Sequence, residues 1–338
     1  VPDDDLALAR LGVRTALREG DVALAYQLLL ELMDAGFSMP TILDRVLAPI
    51  QRETGQHWEA GETSISEEHA STAAIESLVS ILSGALDQPP DADLVVVVCA
   101  EGETHSLPAR MASAVLAYAG YRTLFLGTSV PGDDLAEHLA STGADVLVVS
   151  CTRATNLLGA RACVAAGHRV EIPVVVGGRA FVDGTDWWRR IGADTWADSL
   201  VSLVDLLQTW EPSPGDAESQ VRTVPPSVDT LTAKRLVIAG ALVDAIGEHP
   251  GEHHRLVSAA AEELVDSAAV AVFLAAPQLL AGEAQWHATL LEHRFGLAVD
   301  ADDVLSALAD AVDATMYGDG RPDDGLIEAA RRIVAEQP

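Results

Sequence analysis

The stretch Leu94-Val95-Val96-Val97-Val98-Cys99-Ala100-Glu101-Gly102-Glu103-Thr104-His105-Ser106-Leu107-Pro108 decides the fold. Its first six residues form an unbroken apolar, β-branched run, the pattern of a strand buried on both faces. A polar, glycine-bearing loop follows, and Ser106 then opens an apolar helical pattern. The cycle repeats. Thr123–Gly127, Val146–Cys151 and Pro173–Gly177 are further Val-rich runs, with helical segments between them that Gly120, Gly143 and Gly167 are expected to stop. A shorter fifth strand is expected near Thr195-Trp196. Continuous apolar strands alternating with helices predict a doubly wound parallel α/β sheet.

Upstream, the first 86 residues read as four helices. Asp3–Asp5 can cap the first, and Gly20-Asp21 restarts the chain into a second that Gly36 ends. Ser38 with Pro40 opens the third. Ser64-Ile65-Ser66-Glu67 is a capping box, and Ile75, Leu78, Val79 and Leu82 behind it share one helical face. Short turns between such helices make a small bundle. Downstream, four prolines between Glu211 and Thr230 mark a linker. Residues 231–338 show no strand pattern and about five helical stretches, with turns expected at Gly247–Gly251, Gly282, Gly296 and Gly318–Gly325. The expected division is a helical bundle over 1–88, an α/β domain over 89–210, a linker over 211–230 and an all-helical domain over 231–338.

Composition narrows the partners. Lys and Arg number 21 against 51 Asp and Glu, a formal charge of −30, and no basic patch offsets it, so direct nucleic-acid binding is not expected. The longest apolar run, around Ala268–Leu280, is broken by Pro277 and too short to cross a bilayer. Three cysteines, Cys99, Cys151 and Cys163, form no framework, which fits a reducing cytoplasm.

In an open α/β sheet, ligands bind beyond the carboxyl ends of the strands, near the point where strand order reverses. Glu103-x-His105 lies at one such end and can orient an imidazole for metal ligation. Ser150-Cys151-Thr152 and Gly177-Gly178 end two other strands and suit a polar ligand lying close to the backbone. In the bundle, Glu68 shares the apolar stripe of its helix, where an unpartnered carboxylate is costly.

Together these strand ends resemble the cobalamin-binding domain, with its Asp/Glu-x-His-x-x-Gly, Ser-x-Leu/Thr and Gly-Gly segments; Pro108 stands here where that pattern has Gly. The resemblance implies a flavodoxin-like, Rossmann-type B12-binding fold. It also implies His105 as lower cobalt ligand with Glu103 behind it, and Ser150, Thr152, Gly177 and Gly178 around the displaced nucleotide tail. Nine residues separate Trp58 from Glu68-His69, and Trp-x9-Glu-His in a bundle ahead of this domain resembles the light-sensing cobalamin proteins, best known as MerR-class repressors. That resemblance implies that Trp58, Glu68 and His69 cap the adenosyl side of adenosylcobalamin, whose photolysis drives a change of conformation or oligomeric state.

The C-terminal helices hold five of the ten histidines. Trp286, Leu290 and His293 are spaced for one helical face, with His287 beside them and His249, His253 and His254 at a turn. A helical domain in this place resembles the photocobilins, which implies a bilin such as biliverdin held by His253, Trp286 and His293. The expectation is thus a non-enzymatic, cytoplasmic signalling photoreceptor: a homo-oligomer with a light-dependent state, acting through a fused or separate effector. The main alternative is a corrinoid protein of a methyltransferase system, which shares the bundle-plus-sheet layout. A cobalamin-dependent isomerase subunit would need a partner chain to supply its substrate barrel. A flavodoxin-like signalling domain without cobalamin leaves Glu103-x-His105 and Trp58 unexplained.

Overall fold

The computed structural model describes residues 3–84, 86–181, 185–210, 222–246, 252–316 and 325–336. The chain divides into two compact units: Val1–Arg153 with Leu157–Val221, and Ala154–Asn156 with Arg222–Pro338.

The first unit begins with helices α1 (Asp3–Arg18) and α2 (Val22–Asp34). A continuous rod follows, made of α3 (Met39–Ile42), a π-helical turn (Leu43–Leu47) and α4 (Ala48–Glu59), and then α5 (Ile65–Gly84). Three of the expected caps are present, and the side chains of Asp3–Asp5 lie outside the described residues. Asp21 accepts from the Leu24 N–H at 2.8 Å, and Ser38 from the Thr41 N–H at 3.3 Å. The Ser64 capping box closes both ways: Glu67 N–H donates to Ser64 Oγ at 3.2 Å and Ser64 N–H to Glu67 Oε2 at 2.7 Å. Those Ser64 bonds hold the exposed Glu67 carboxyl below its ordinary range. Ile75, Leu78, Val79 and Leu82 are all buried, each such side chain contributing roughly 1.5–3 kcal/mol to folding.

Five strands follow: β1 (Leu94–Cys99), β2 (Arg122–Gly127), β3 (Val146–Ser150), β4 (Val174–Gly177) and β5 (Thr195–Ala197). They are all parallel, in the order β2-β1-β3-β4-β5. Helices α6 (Ser106–Tyr118), α7 (Gly132–Thr142), α8 (Leu157–Arg169), α9 (Trp187–Arg190) and α10 (Leu200–Thr209) connect or follow the strands, with a short 3-10 turn at Ala154–Asn156. The order reverses between β1 and β3, so the crevice at their carboxyl ends is the switch point. Every residue of β1 is buried, as its sequence predicts. One hydrophobic core runs from the bundle (Leu29, Ile42, Ile75) through α6 (Leu107, Met111, Val115) to the sheet (Val95, Val97).

Two glycines expected to stop helices behave differently from each other. Gly143 ends α7 in the left-handed conformation, as expected, but Gly167 lies inside α8, which continues to Arg169. A Cβ there would sit 2.6 Å from Val174 Cγ2, so the residue serves helix-to-sheet packing and not termination. His168, near the end of α8, bonds Asp194 through Nε2 at 2.9 Å.

The second unit contains α11 (Pro226–Ala233), α12 (Arg235–Ile246), α13 (Glu252–Leu274), α14 (Pro277–Phe295), α15 (Ala301–Thr315) and α16 (Gly325–Ala335). Residues 226–230, read as linker, are therefore helical because Pro226 occupies a first-turn position, where its missing N–H costs nothing. The remaining linker residues 211–221 and the turns at 247–251 and 318–324 lie outside the described residues. Gly282 is inside α14, not at a turn; the break falls at Ala275, with φ +48°, just before Pro277. Gly296 caps α14 with φ +65°. No helix among the described residues is long and apolar enough to cross a membrane.

Gly159 sets the approach of α8 to the β1 loop, since a Cβ there would lie 2.0 Å from the Glu101 carbonyl oxygen. Gly159→Ala is expected to cost about 1–3 kcal/mol of unfolding free energy through overpacking, read by urea denaturation. A wild-type midpoint would show that the loop is free to move away.

Candidate functional site

The loop after β1 is wound tightly. Glu103 N–H donates to the Ala100 carbonyl at 2.9 Å, and Gly102 takes φ +85° at the turn. Ser129, after β2, buttresses it: its Oγ accepts from Gly102 N–H at 3.1 Å, and its N–H donates to the Glu103 carbonyl at 3.0 Å. His105 then caps α6 from outside the helix. Pro108 falls in the first turn of α6, where no intrahelical N–H bond is lost.

The loop turns the Glu103 carboxylate inward, where it is 0% exposed. Oε1 accepts from the His105 N–H at 2.9 Å and from its Nδ1 at 2.6 Å. Oε2 accepts from the backbone N–H groups of Thr152 at 2.7 Å and Arg153 at 3.0 Å, in the loop after β3. Burial alone would push this carboxyl up. The hydrogen bonds from the His105 ring and backbone, the charge attraction to His105 and the Arg153 N–H outweigh burial and hold it at about 2. An ionised carboxylate only accepts, so Nδ1 of His105 carries the hydrogen, and in the neutral ring Nε2 holds the lone pair. The ring is half exposed, at 51%.

The neighbouring strand ends supply the rest. Ser150, the last residue of β3, is buried and pairs in register with Cys99 and with Gly177. The Thr152 hydroxyl is buried and has no hydrogen-bond partner among the described residues. Gly178 takes φ +108°, and a Cβ there would lie 2.3 Å from the Cys151 carbonyl oxygen, so only glycine fits. The structure thus gathers Glu103, His105, Ser150, Thr152, Gly177 and Gly178 at the switch point. Cys99, Cys151 and Cys163 are buried around it, and burial pushes Cys99 up to about 12, Cys163 to about 11 and Cys151 well above its ordinary value. All three are thiols, not thiolates.

The bundle residues form a second group. Trp58 is half-buried in the last turn of α4. Glu68 is 21% exposed and not fully buried on the apolar stripe. Its Oε1 accepts from Thr72 Oγ1 at 2.7 Å, its Oε2 lies 2.6 Å from His69 Nδ1, and Gln51 Nε2 donates to Thr72 Oγ1 at 2.7 Å. Among the described residues, none of the Glu68 or His69 hydrogen bonds reaches the His105 loop. Glu76 makes that link: two turns further along α5, it accepts from Ser106 Oγ beside His105. Glu76 and Ser106 were missed in the sequence, although the spacing of Glu68, Thr72 and Glu76 at every fourth residue marks a polar stripe.

The C-terminal trio is not assembled as expected. In α14 the buried face carries Leu280, Ala284, His287 and Leu291, leaving Trp286 and Leu290 half-exposed and His293 exposed. The buried histidine is His287, at 2% exposure, with Nε2 lying 3.4 Å from Glu263 and 3.9 Å from Glu283. The side chain of His253, and His249 altogether, lie outside the described residues.

A crevice at the switch point of a parallel sheet, with an oriented imidazole and a glycine-lined slot, defines a cofactor-binding α/β protein. Comparison with known proteins makes the class specific. Residues 94–204 match the B12 binding domain family, and residues 12–83 match a second B12 binding domain family. The chain therefore carries a cobalamin-binding module in its first two segments, and its cofactor is a corrinoid. It is 28% identical over 202 residues to monomethylamine corrinoid protein 1 of Methanosarcina acetivorans, covering 56% of this chain and 92% of that protein. It is 27% identical over 169 residues to dimethylamine corrinoid protein 3 of the same organism, covering 48% and 78%. The solved Methanosarcina barkeri monomethylamine corrinoid protein aligns at 23% identity and a TM-score of 0.49, over 58% of this chain and 94% of that one.

These relatives overturn the light-sensing expectation, with its adenosyl photolysis and light-dependent oligomer: they are named as corrinoid proteins of methylamines, and they give no support to the bilin expected on residues 231–338. The physical reason is that bundle and sheet form a frame common to both classes, so the layout could not separate them. The fold and the residues at the switch point fit a corrinoid: one imidazole nitrogen is fixed, the other is available, and the buried Thr152 hydroxyl lacks a partner.

Glu103→Gln replaces an acceptor with an amide that cannot serve both pairs of N–H groups. It is expected to cost roughly 1–3 kcal/mol for each buried N–H left unsatisfied, measured by denaturant unfolding. The wild-type carboxyl has a folded pKa of about 2 against an ordinary 4.5. Its stabilisation is therefore complete above about pH 4.5 and fades as pH falls toward about 2. The variant should lack this part of the acid limb, and an unchanged acid limb would contradict the assignment.

Proposed function

We propose that this chain is the corrinoid-bearing methyl carrier of a methyltransferase system, with a methylated amine as the methyl donor class. The observation that carries the reading is the Glu103-held His105 at the β1/β3 switch point, in a chain whose relatives are named corrinoid proteins of methylamines. When bound, the corrinoid supplies a cobalt that accepts and releases a methyl group. His105 Nε2 would ligate the cobalt, and Glu103 fixes the ring by holding Nδ1. Thr152 and Ser150 offer hydroxyls to the displaced nucleotide tail, and Gly177-Gly178 let it lie against the backbone. Trp58, Glu68 and His69 would cover the cofactor from the bundle. The chain is a carrier rather than an enzyme in its own right. Donor and acceptor chemistry belong to partner proteins, and the methyl form replaces the adenosyl form in this reading.

The test has two parts. Hydroxocobalamin binding to the full chain is followed by absorbance and equilibrium dialysis: His105→Ala should remove the imidazole-dependent spectrum, and Glu103→Gln should weaken binding by about 10–100-fold. Wild-type binding and spectrum in His105→Ala would overturn the ligand assignment. Reductively activated, cobalamin-loaded protein is then given isotopically labelled mono-, di- or trimethylamine with a methylamine-type methyltransferase. Label on the bound cofactor supports the carrier; no label from any of the three donors removes the methylamine reading.

A further inference from the structure

Helix α6 opens at Ser106, the residue after His105, and Arg110 follows one turn later on the same side of the helix. Both address one carboxylate oxygen of the bundle. Ser106 Oγ donates to Oε1 of the half-buried Glu76 on α5, while Arg110 Nε stands 4.0 Å from that same atom, outside hydrogen-bond reach. Arg110 Nε is buried and has no hydrogen-bond partner among the described residues. The guanidinium lies 5.0 Å from the ring centre of Phe125 in β2, so the cation is held against the sheet.

Either pairing of Glu76 leaves something unmet. With Ser106 bonded, as here, a buried donor of Arg110 goes unsatisfied, a penalty of the same order as the bond gained. With Arg110 bonded, that donor is met and an ion pair closes, but the Ser106 hydroxyl is let go. The two donors start a helical turn apart, a rise of about 6 Å along α6, so motion of the oxygen toward one carries it away from the other. Closing the gap to Arg110 takes a shift of about 1 Å. On the loop side, His105 keeps its tethers to Glu103 in both pairings, so what changes is the hold on the helix that begins beside it.

We propose that Glu76 is a positioning residue for His105. Bonded to Ser106, it holds the start of α6, and His105 with it, in the orientation seen here; a slide of α5 that carries the carboxylate over to Arg110 loosens that hold. The position of the bundle is thereby read at the imidazole. The effect on cobalt ligation rests on the corrinoid reading, whereas the coupling of α5 to the His105 loop does not.

The experiment is amide hydrogen exchange on the ligand-free full chain, followed on peptides spanning residues 101–110 and referenced to peptides of α7, which cancels any general loss of stability. Ser106→Ala should speed exchange by about three- to tenfold, the worth of one hydrogen bond, and Arg110→Met should slow it by a similar factor because the competing donor is gone. Ser106→Thr, which keeps the hydroxyl, should restore slow exchange, and Arg110→Met should have no effect in a Glu76→Ala background. Arg110→Gln, too short to reach the carboxylate, repeats the test should the methionine variant fold poorly. Shifts in the same direction, no shift in either variant, or an Arg110→Met effect that persists without Glu76 would each overturn the proposal. In the hydroxocobalamin-loaded chain, Ser106→Ala should lower the ratio of imidazole-ligated to unligated cofactor, read by absorbance, by about the same factor. A wild-type spectrum identical to that of His105→Ala removes the ligand reading and leaves exchange to decide the coupling. A ligated spectrum that Ser106→Ala leaves unchanged overturns the step from coupling to ligation.

Discussion

A fully buried carboxylate with four donors organises the site. Removing an ionised group from water costs several kcal/mol unless its oxygens are satisfied. Glu103 is satisfied twice from its own loop, by His105, and twice from the loop after β3, by Thr152 and Arg153. The two strand ends that flank the switch point are thereby tied to one side chain. Ring orientation at His105 and placement of the Thr152 hydroxyl cannot vary independently, because each depends on a different oxygen of the same carboxylate. This makes the crevice pre-organised without a ligand, the condition that lowers the ordering cost of binding.

The same economy links the sheet to the bundle. Helix α6 begins at the residue after His105 and contributes Leu107, Met111 and Val115 to a core shared with α5 and β1. At its first residue, Ser106 donates to Glu76 of α5, and Arg110 lies 4.0 Å from the same carboxylate. The polar stripe Glu68, Thr72 and Glu76 therefore meets α4 at Gln51 and ends one residue from His105. A displacement of α5 is felt at the N-terminus of α6, through both apolar packing and a charge-assisted bond.

Local signals made most of the fold legible. The strands announced themselves by unbroken Val-rich runs, and the caps at Asp21, Ser38 and Ser64 needed only neighbouring residues. What stayed hidden depended on distant partners. The donors to Glu103 from Thr152 and Arg153 lie about fifty residues away in sequence, so the pair Glu103-x-His105 was visible but its anchoring was not. Gly167 reads as a helix stop in isolation and becomes a packing residue only once Val174 lies against it. In α14, Trp286, Leu290 and His293 do share a face, as their spacing says, but periodicity could not show that the neighbouring face, with His287, is the one turned inward.

The thiols bear on how a site proposed to carry a methyl group would stay clean. Cys99 closes β1, Cys151 follows β3, and Cys163 lies in α8, so all three surround the crevice. A thiolate near a methylated cobalt would compete for the methyl group, since the thiolate and not the thiol is the nucleophile. Desolvation is the largest influence on each of them, and the negative charges of Glu103 and Glu101 push in the same direction. The buried Glu103 carboxylate thus has two effects at once: it fixes the histidine, and it helps keep Cys99 and Cys151 protonated. On the carrier reading, the methyl acceptor must then come from outside the crevice, because the chain's own sulfurs are held in their unreactive form.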